Sequence, residues 1–172
     1  MYKNFLTRPE SNCPYSRQWT VSYTHLSGTT KKVAQKLAKA IDADLFEIQP
    51  NPPYTKADLD WTDPNSRSSI EMKNKASRPA IAGKLPDITA YDTVFIGFPI
   101  WWYVAPTIIN TFLESYTWAG KTIVPFATSG SSGMGKTNQD LAPSCPGAVL
   151  KEGKRFATNV SEEELKMWAS LF

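Results

Sequence analysis

The sequence has only two cysteines in 172 residues, Cys13 and Cys145. They match neither a metal-ligand spacing nor a disulfide framework. Both are expected as free thiols in a reducing compartment, and the chain as a cytoplasmic protein without a metal site. Long hydrophobic runs are also missing. The longest apolar stretch, residues 94–106, contains Gly97, Pro99 and two tryptophans, and is too short and too interrupted to span a bilayer. The opening Met1-Tyr2-Lys3-Asn4-Phe5-Leu6 lacks the sustained apolar segment of a secretory signal. Without secretion, the acceptor-like Asn159-Val160-Ser161 is not expected to carry a glycan. Charge of one sign is nowhere concentrated. The formal net charge is +3 and the isoelectric point about 8.8, but lysines and arginines are spread along the chain. That pattern reads as a solvated surface and excludes a nucleic-acid footprint.

What is present is ordinary for one globular domain, with 41% hydrophobic and 20% charged residues. Strands are predicted at residues 19–24, 45–48, 93–98 and 122–127, and a fifth at 148–150 or 155–158. The run 93–98 has the near-continuous apolar character of a parallel strand buried on both faces. Pro125 is an objection to a central place for 122–127. Between the strands, residues 30–41 place Val33, Ala34, Leu37, Ala38 and Ile41 on one helical stripe, and 107–116 repeat the pattern. Ser161-Glu162-Glu163-Glu164 is a capping box, predicting a last helix that buries Leu165, Trp168 and Leu171 or Phe172. Strands and helices alternating in this way predict an α/β fold built on a parallel sheet. Residues 1–18 show no periodicity and read as an unstructured leader or a cloning remnant, leaving 19–172 as the domain. The connection 49–92 is unusually long and reads as a functional lid, with Asp63-Pro64 as a helix start.

Ligands of doubly wound sheets bind outside the carboxyl ends of the strands. Three loops fall there. His25-Leu26-Ser27-Gly28-Thr29-Thr30 runs into a helix, whose free N–H groups and partial positive charge attract phosphate. Taken alone, it is read equally well as a simple helix cap. Phe98-Pro99-Ile100-Trp101-Trp102-Tyr103 offers rings on which a flat heterocycle stacks, worth ~1–3 kcal/mol per base in nucleic-acid systems. A homodimer interface is the alternative, also rich in such residues, and the two readings can coexist. Thr128-Ser129-Gly130-Ser131-Ser132-Gly133-Met134-Gly135 can lay small residues and backbone amides against a ring edge. Residues 130–137 also match the phosphate-loop pattern G-x-x-x-x-G-K-[ST]. Pro143 and Pro146, however, cut short the helix that motif requires, and no apolar strand ends in an Asp to hold magnesium.

Together these loops resemble the flavodoxin family, in particular bacterial flavodoxin-like oxidoreductases. The resemblance is carried by Ser27-Gly28-Thr29-Thr30-Lys31-Lys32-Val33-Ala34 and by Asp92-Thr93-Val94-Phe95-Ile96-Gly97-Phe98-Pro99-Ile100-Trp101-Trp102. Ala105-Pro106-Thr107, Gly120-Lys121-Thr122, Asp60-Trp61 and Ser66-Arg67-Ser68-Ser69 add to it. The resemblance implies a five-stranded sheet of order 2-1-3-4-5 with helices on both faces, and flavin mononucleotide (FMN) as cofactor. It implies a phosphate cradle of Ser27, Gly28, Thr29 and Thr30, joined by His25 if its imidazole reaches the phosphate and does not simply face solvent. Pro99, Ile100, Trp101, Trp102 and Tyr103 would flank the isoalloxazine ring, and Thr128, Ser129, Gly130 and Gly133 its other edge. The first strand departs from the family, with Thr20, Ser22 and Thr24 where aliphatics are expected.

Two redox functions follow from the resemblance. One is an enzyme taking hydride from NAD(P)H and passing electrons to a quinone-like acceptor. The other is an electron shuttle between redox partner proteins, which tends to be acidic, unlike this chain. A flavin-free interaction domain is the third class. No residue stands out as a general acid or base. Tyr103 and Arg67 are candidate substrate contacts, with a solvent-facing or structural role favoured for Arg67.

Overall fold

The computed structural model describes residues 19–24, 28–83 and 87–172. Five parallel pairings build its main sheet. β1 (Trp19–Tyr23) lies between β2 (Asp44–Glu47) and β5 (Thr93–Pro99). β6 (Thr122–Thr128) follows on the other side of β5 and takes both β7 (Val149–Leu150) and β8 (Lys154–Phe156) as outer neighbours. The order is therefore β2-β1-β5-β6-β7, with β8 beside β6. The two candidates for a fifth strand are both strands, and together they fill one position. Backbone groups of Lys121 and Ile123 face this outer side, where their carbonyls accept from Val149 and Lys151 at 2.8 Å. Pro125 faces the same way, between the stretches paired by β7 and β8, so its missing N–H breaks no ladder.

Alternation along the strands divides the core into two layers. Val21, Phe95, Val124 and Phe126 meet Val33 and Leu37 of α1 (Thr29–Ala40) and Leu165 and Trp168 of α5 (Glu162–Ala169). Val94, Ile96, Phe98 and Ile123 face Ile109, Phe112 and Leu113 of α3 (Ile108–Glu114). Ser161 caps α5 by accepting from the Glu164 N–H at 3.1 Å, and Phe172, not the exposed Leu171, packs on this layer.

The long connection has structure of its own. β3 (Gln49–Pro50) and β4 (Ile81–Ala82) pair antiparallel and close it at its base. Between them stands α2 (Arg67–Lys73), which starts three residues later than the sequence suggests. Asp63 caps a local turn, accepting from Asn65 at 2.8 Å, whereas Ser66 caps the helix through the Ser69 N–H. The helix after the glycine-rich loop, α4 (Thr137–Leu141), is only five residues long and ends in a 3-10 turn containing Pro143. That is too short for a phosphate-loop helix.

Candidate functional site

Of the first loop, His25 and Ser27 lie outside the described residues. Gly28 stands at the start of α1 in the left-handed region, φ 76°, where a side chain is disfavoured. Thr29 is half-buried and follows it into the helix, while Thr30 is buried. The Thr30 hydroxyl is 2.7 Å from that of Thr128 at the end of β6, so the first and third loops are joined by a buried hydrogen bond.

The second loop leaves β5 at Pro99 and is anchored by the Ile100 N–H donating to the Thr128 carbonyl at 3.0 Å. Trp101 and Val104 then exchange backbone hydrogen bonds at 2.9 and 3.0 Å, closing a two-residue hairpin. Its central residues, Trp102 and Tyr103, have φ of 43° and 70°. Bulky residues rarely occupy this region, and such strain is retained only where the surroundings enforce it. One enforcing neighbour is Gly135 of the third loop, where an added Cβ would stand 2.1 Å from the Tyr103 carbonyl oxygen. Trp102 and Tyr103 remain 45% and 72% exposed, so the turn presents rings rather than burying them.

The third loop continues from Thr128 into Ser129, whose carbonyl accepts from Arg155 at 3.2 Å. Gly130 and Gly133 are exposed. Neither has a positive φ, and an added Cβ would meet nothing within 4 Å among the described residues.

The second and third loops wall a cleft of about 510 Å³ with Pro99, Ile100, Trp101, Trp102, Tyr103 and Ser132. Its opposite wall comes from the long connection, through Leu59, Trp61 and Ser68. These three, with Ser132, escape notice as site residues in the sequence. Only the Asp60-Trp61 and Ser66 to Ser69 motifs mark their neighbourhood.

A polar cluster fixes this wall against the aromatic turn. The Tyr54 ring meets the Trp101 indole edge-on, with centroids 5.8 Å apart. Its hydroxyl donates to the Glu71 carboxylate. Arg67 binds the other Glu71 oxygen at 2.7 Å, donates to the Pro52 carbonyl at 2.7 Å, and lies 4.2 Å above the Tyr54 ring. Burial and the hydrogen bond to Glu71 push the Tyr54 phenol well above the ordinary tyrosine range. Arg67 thus ties α2 to the chain at Pro52 and to the Tyr54 ring. Among the described residues no three His, Cys, Asp or Glu side chains gather as a metal site would require. No helix among them is long and apolar enough to cross a membrane.

A sequence model described as flavodoxin matches residues 18–171. No curated protein matches. A Bacteroides uniformis protein provisionally assigned as a flavoprotein is 46% identical, covering 91% of this chain and 99% of that one, with a TM-score of 0.84. Its counterpart from Bacteroides eggerthii is 45% identical over 90% of this chain and 96% of that chain, again at 0.84. A Lactobacillus acidophilus flavoprotein, solved in complex with FMN, is 23% identical over 90% and 99% of the two chains and shares the fold at 0.67.

Proposed function

Because the chain belongs to the flavodoxin family, we propose that it binds FMN at the carboxyl ends of β1, β5 and β6. It works there as an NAD(P)H-dependent oxidoreductase that reduces a quinone or a similar acceptor. Several features of the cleft support the cofactor. The α1 start has no side-chain cap and is preceded by a left-handed glycine, which suits a phosphate. Neither fold geometry nor crowding among the described residues calls for Gly130 and Gly133, and a flat ring lying on bare backbone does. The Lactobacillus acidophilus relative carries FMN in the same fold. When bound, FMN supplies reversible one- and two-electron transfer.

The observation that carries the enzymatic reading is the second wall. Leu59, Trp61 and Ser68 face the aromatic turn across the cleft, and Trp61 is 74% exposed on its rim. A shuttle needs an open flavin edge against a protein surface. A reductase needs room to stack a flat donor and then a flat acceptor, and an aromatic far wall serves that purpose. The buried, unbridged Cys145 accords with a reducing, cytoplasmic setting.

Purified protein is reconstituted with FMN, its visible spectrum recorded, and NADPH oxidation followed with a soluble quinone. Flavin uptake with multiple turnovers is expected. Uptake without turnover points to the shuttle, and failure to take up flavin overturns both redox readings.

A further inference from the structure

A second cavity, of about 560 Å³, lies beyond the aromatic turn, between α2 and its following strand of chain, α3 and α4. Its size falls within the range of small-molecule sites, roughly 300–1,000 Å³. The residues common to it and the first cleft are Trp102 and Tyr103 alone. The strained turn is therefore a partition that shows aromatic surface to two cavities. We propose that this second cavity binds a flat aromatic molecule carrying one negative charge, and that it does so while FMN occupies the cleft on the other side of the turn.

The shape of the ligand follows from the walls. Met72, Val104, Ala105 and Pro143 supply apolar surface beside the two exposed rings. Its charge follows from the cations, of which three line the cavity. Lys75 is paired with Asp140 at 3.2 Å. Arg78 holds both Glu114 oxygens at 2.8 Å and spends further donors on the Lys75 and Ser77 carbonyls. Lys136 is exposed and has no acidic partner among the described residues. The Asn110 amide is committed to the Asp140 carbonyl and Ser144 hydroxyl at 3.0 and 2.9 Å. One uncompensated ammonium over an apolar, ring-lined cavity suits a single carboxylate or sulfonate on an aromatic frame.

Calorimetric titration with naphthoate, on FMN-loaded and FMN-free protein, tests this. One naphthoate per chain is expected to bind in both forms, with the flavin absorbance unchanged. Lys136→Gln should weaken naphthoate about three- to fivefold, the scale of one solvent-screened charge contact, and leave neutral naphthamide untouched. Gln139→Trp, which fills the cavity from α4, should abolish both while FMN uptake and the melting curve stay as in the parent. Absence of binding at millimolar naphthoate, displacement of FMN by naphthoate, or equal affinity in Lys136→Gln each overturns the proposal. The FMN-free arm decides the cavity even if no flavin binds.

Discussion

Tyr54 shows how a single residue ties the long connection to the cleft. Its ring supports Trp101 and its hydroxyl satisfies a carboxylate that is also paired with Arg67. Glu71 is 9% exposed, so removing either partner leaves a charge poorly solvated. Glu71→Ala is expected to cost about 2 kcal/mol in urea unfolding, below the range for a fully buried pair because Arg67 retains some exposure. Glu71→Gln should cost less. The raised Tyr54 pKa has a definite sign. The folded protein holds its phenolic proton more tightly than the unfolded chain, so this contribution is complete below about pH 10 and is lost as pH rises above it. Wild type should therefore lose stability faster than Tyr54→Phe between about pH 9 and pH 11, the interval around the ordinary tyrosine pKa. Parallel slopes for the two proteins would show that Tyr54 is not the group responsible. At Ser22 the expectation runs the other way. Its hydroxyl is fully buried on a central strand and has no hydrogen-bond partner among the described residues, whereas Thr20 reaches the Asp44 carbonyl at 3.3 Å. Ser22→Ala should raise stability by ~1 kcal/mol, measured by the same unfolding curves.

Among the elements, the strands at the centre of the sheet were the most legible in the sequence, because burial on both faces leaves an apolar run. β5 and β6 differ from expectation by one residue at their carboxyl ends. β1 was legible as a strand despite Thr20 and Ser22, since Val21 and Tyr23 keep the alternation on the α1 side. The short α2 was mislocated because Asp63-Pro64 and Ser66 are both good caps, and only tertiary contact chooses between them. Arg67 and Glu71 stand four residues apart on α2, but Tyr54 lies too far from them in sequence for periodicity to join it to the pair. Gly97 hides a similar long-range constraint inside an element. A Cβ there would stand 2.2 Å from the Phe126 ring on the neighbouring strand. Gly97→Ala should cost ~1–3 kcal/mol by overpacking. Adding Phe126→Leu should make the double variant less destabilised than the two single costs summed, because the colliding ring is gone. Additive costs would mean that the strands separate instead of the ring moving.

At the scale of the whole molecule, the loops that gather at the carboxyl edge are held together by a handful of bonds among the described residues. The Thr30–Thr128 hydroxyl pair joins the first and third, the Ile100–Thr128 backbone bond joins the second and third, and Tyr54 against Trp101 holds the connection. The two core layers lie below this edge, and Ile100 and Met134 of its loops pack on the layer that holds α3. A ligand that touches all these loops adds its binding free energy to folding, because the unfolded chain offers no such site. At FMN concentrations about a hundred times Kd that gain is ~2.7 kcal/mol. For a domain of this length it corresponds to a rise in Tm of roughly 5–11 °C. Hydrogen exchange should locate the gain. Protection is expected to rise in residues 54–71, 99–104 and 128–135, and to stay level in α5, which packs on the layer with α1. A Tm unmoved by saturating FMN would remove the cofactor from this cleft. A raised Tm with new protection confined to α3 and α4 would place the flavin beyond the Trp102–Tyr103 turn, in the second cavity.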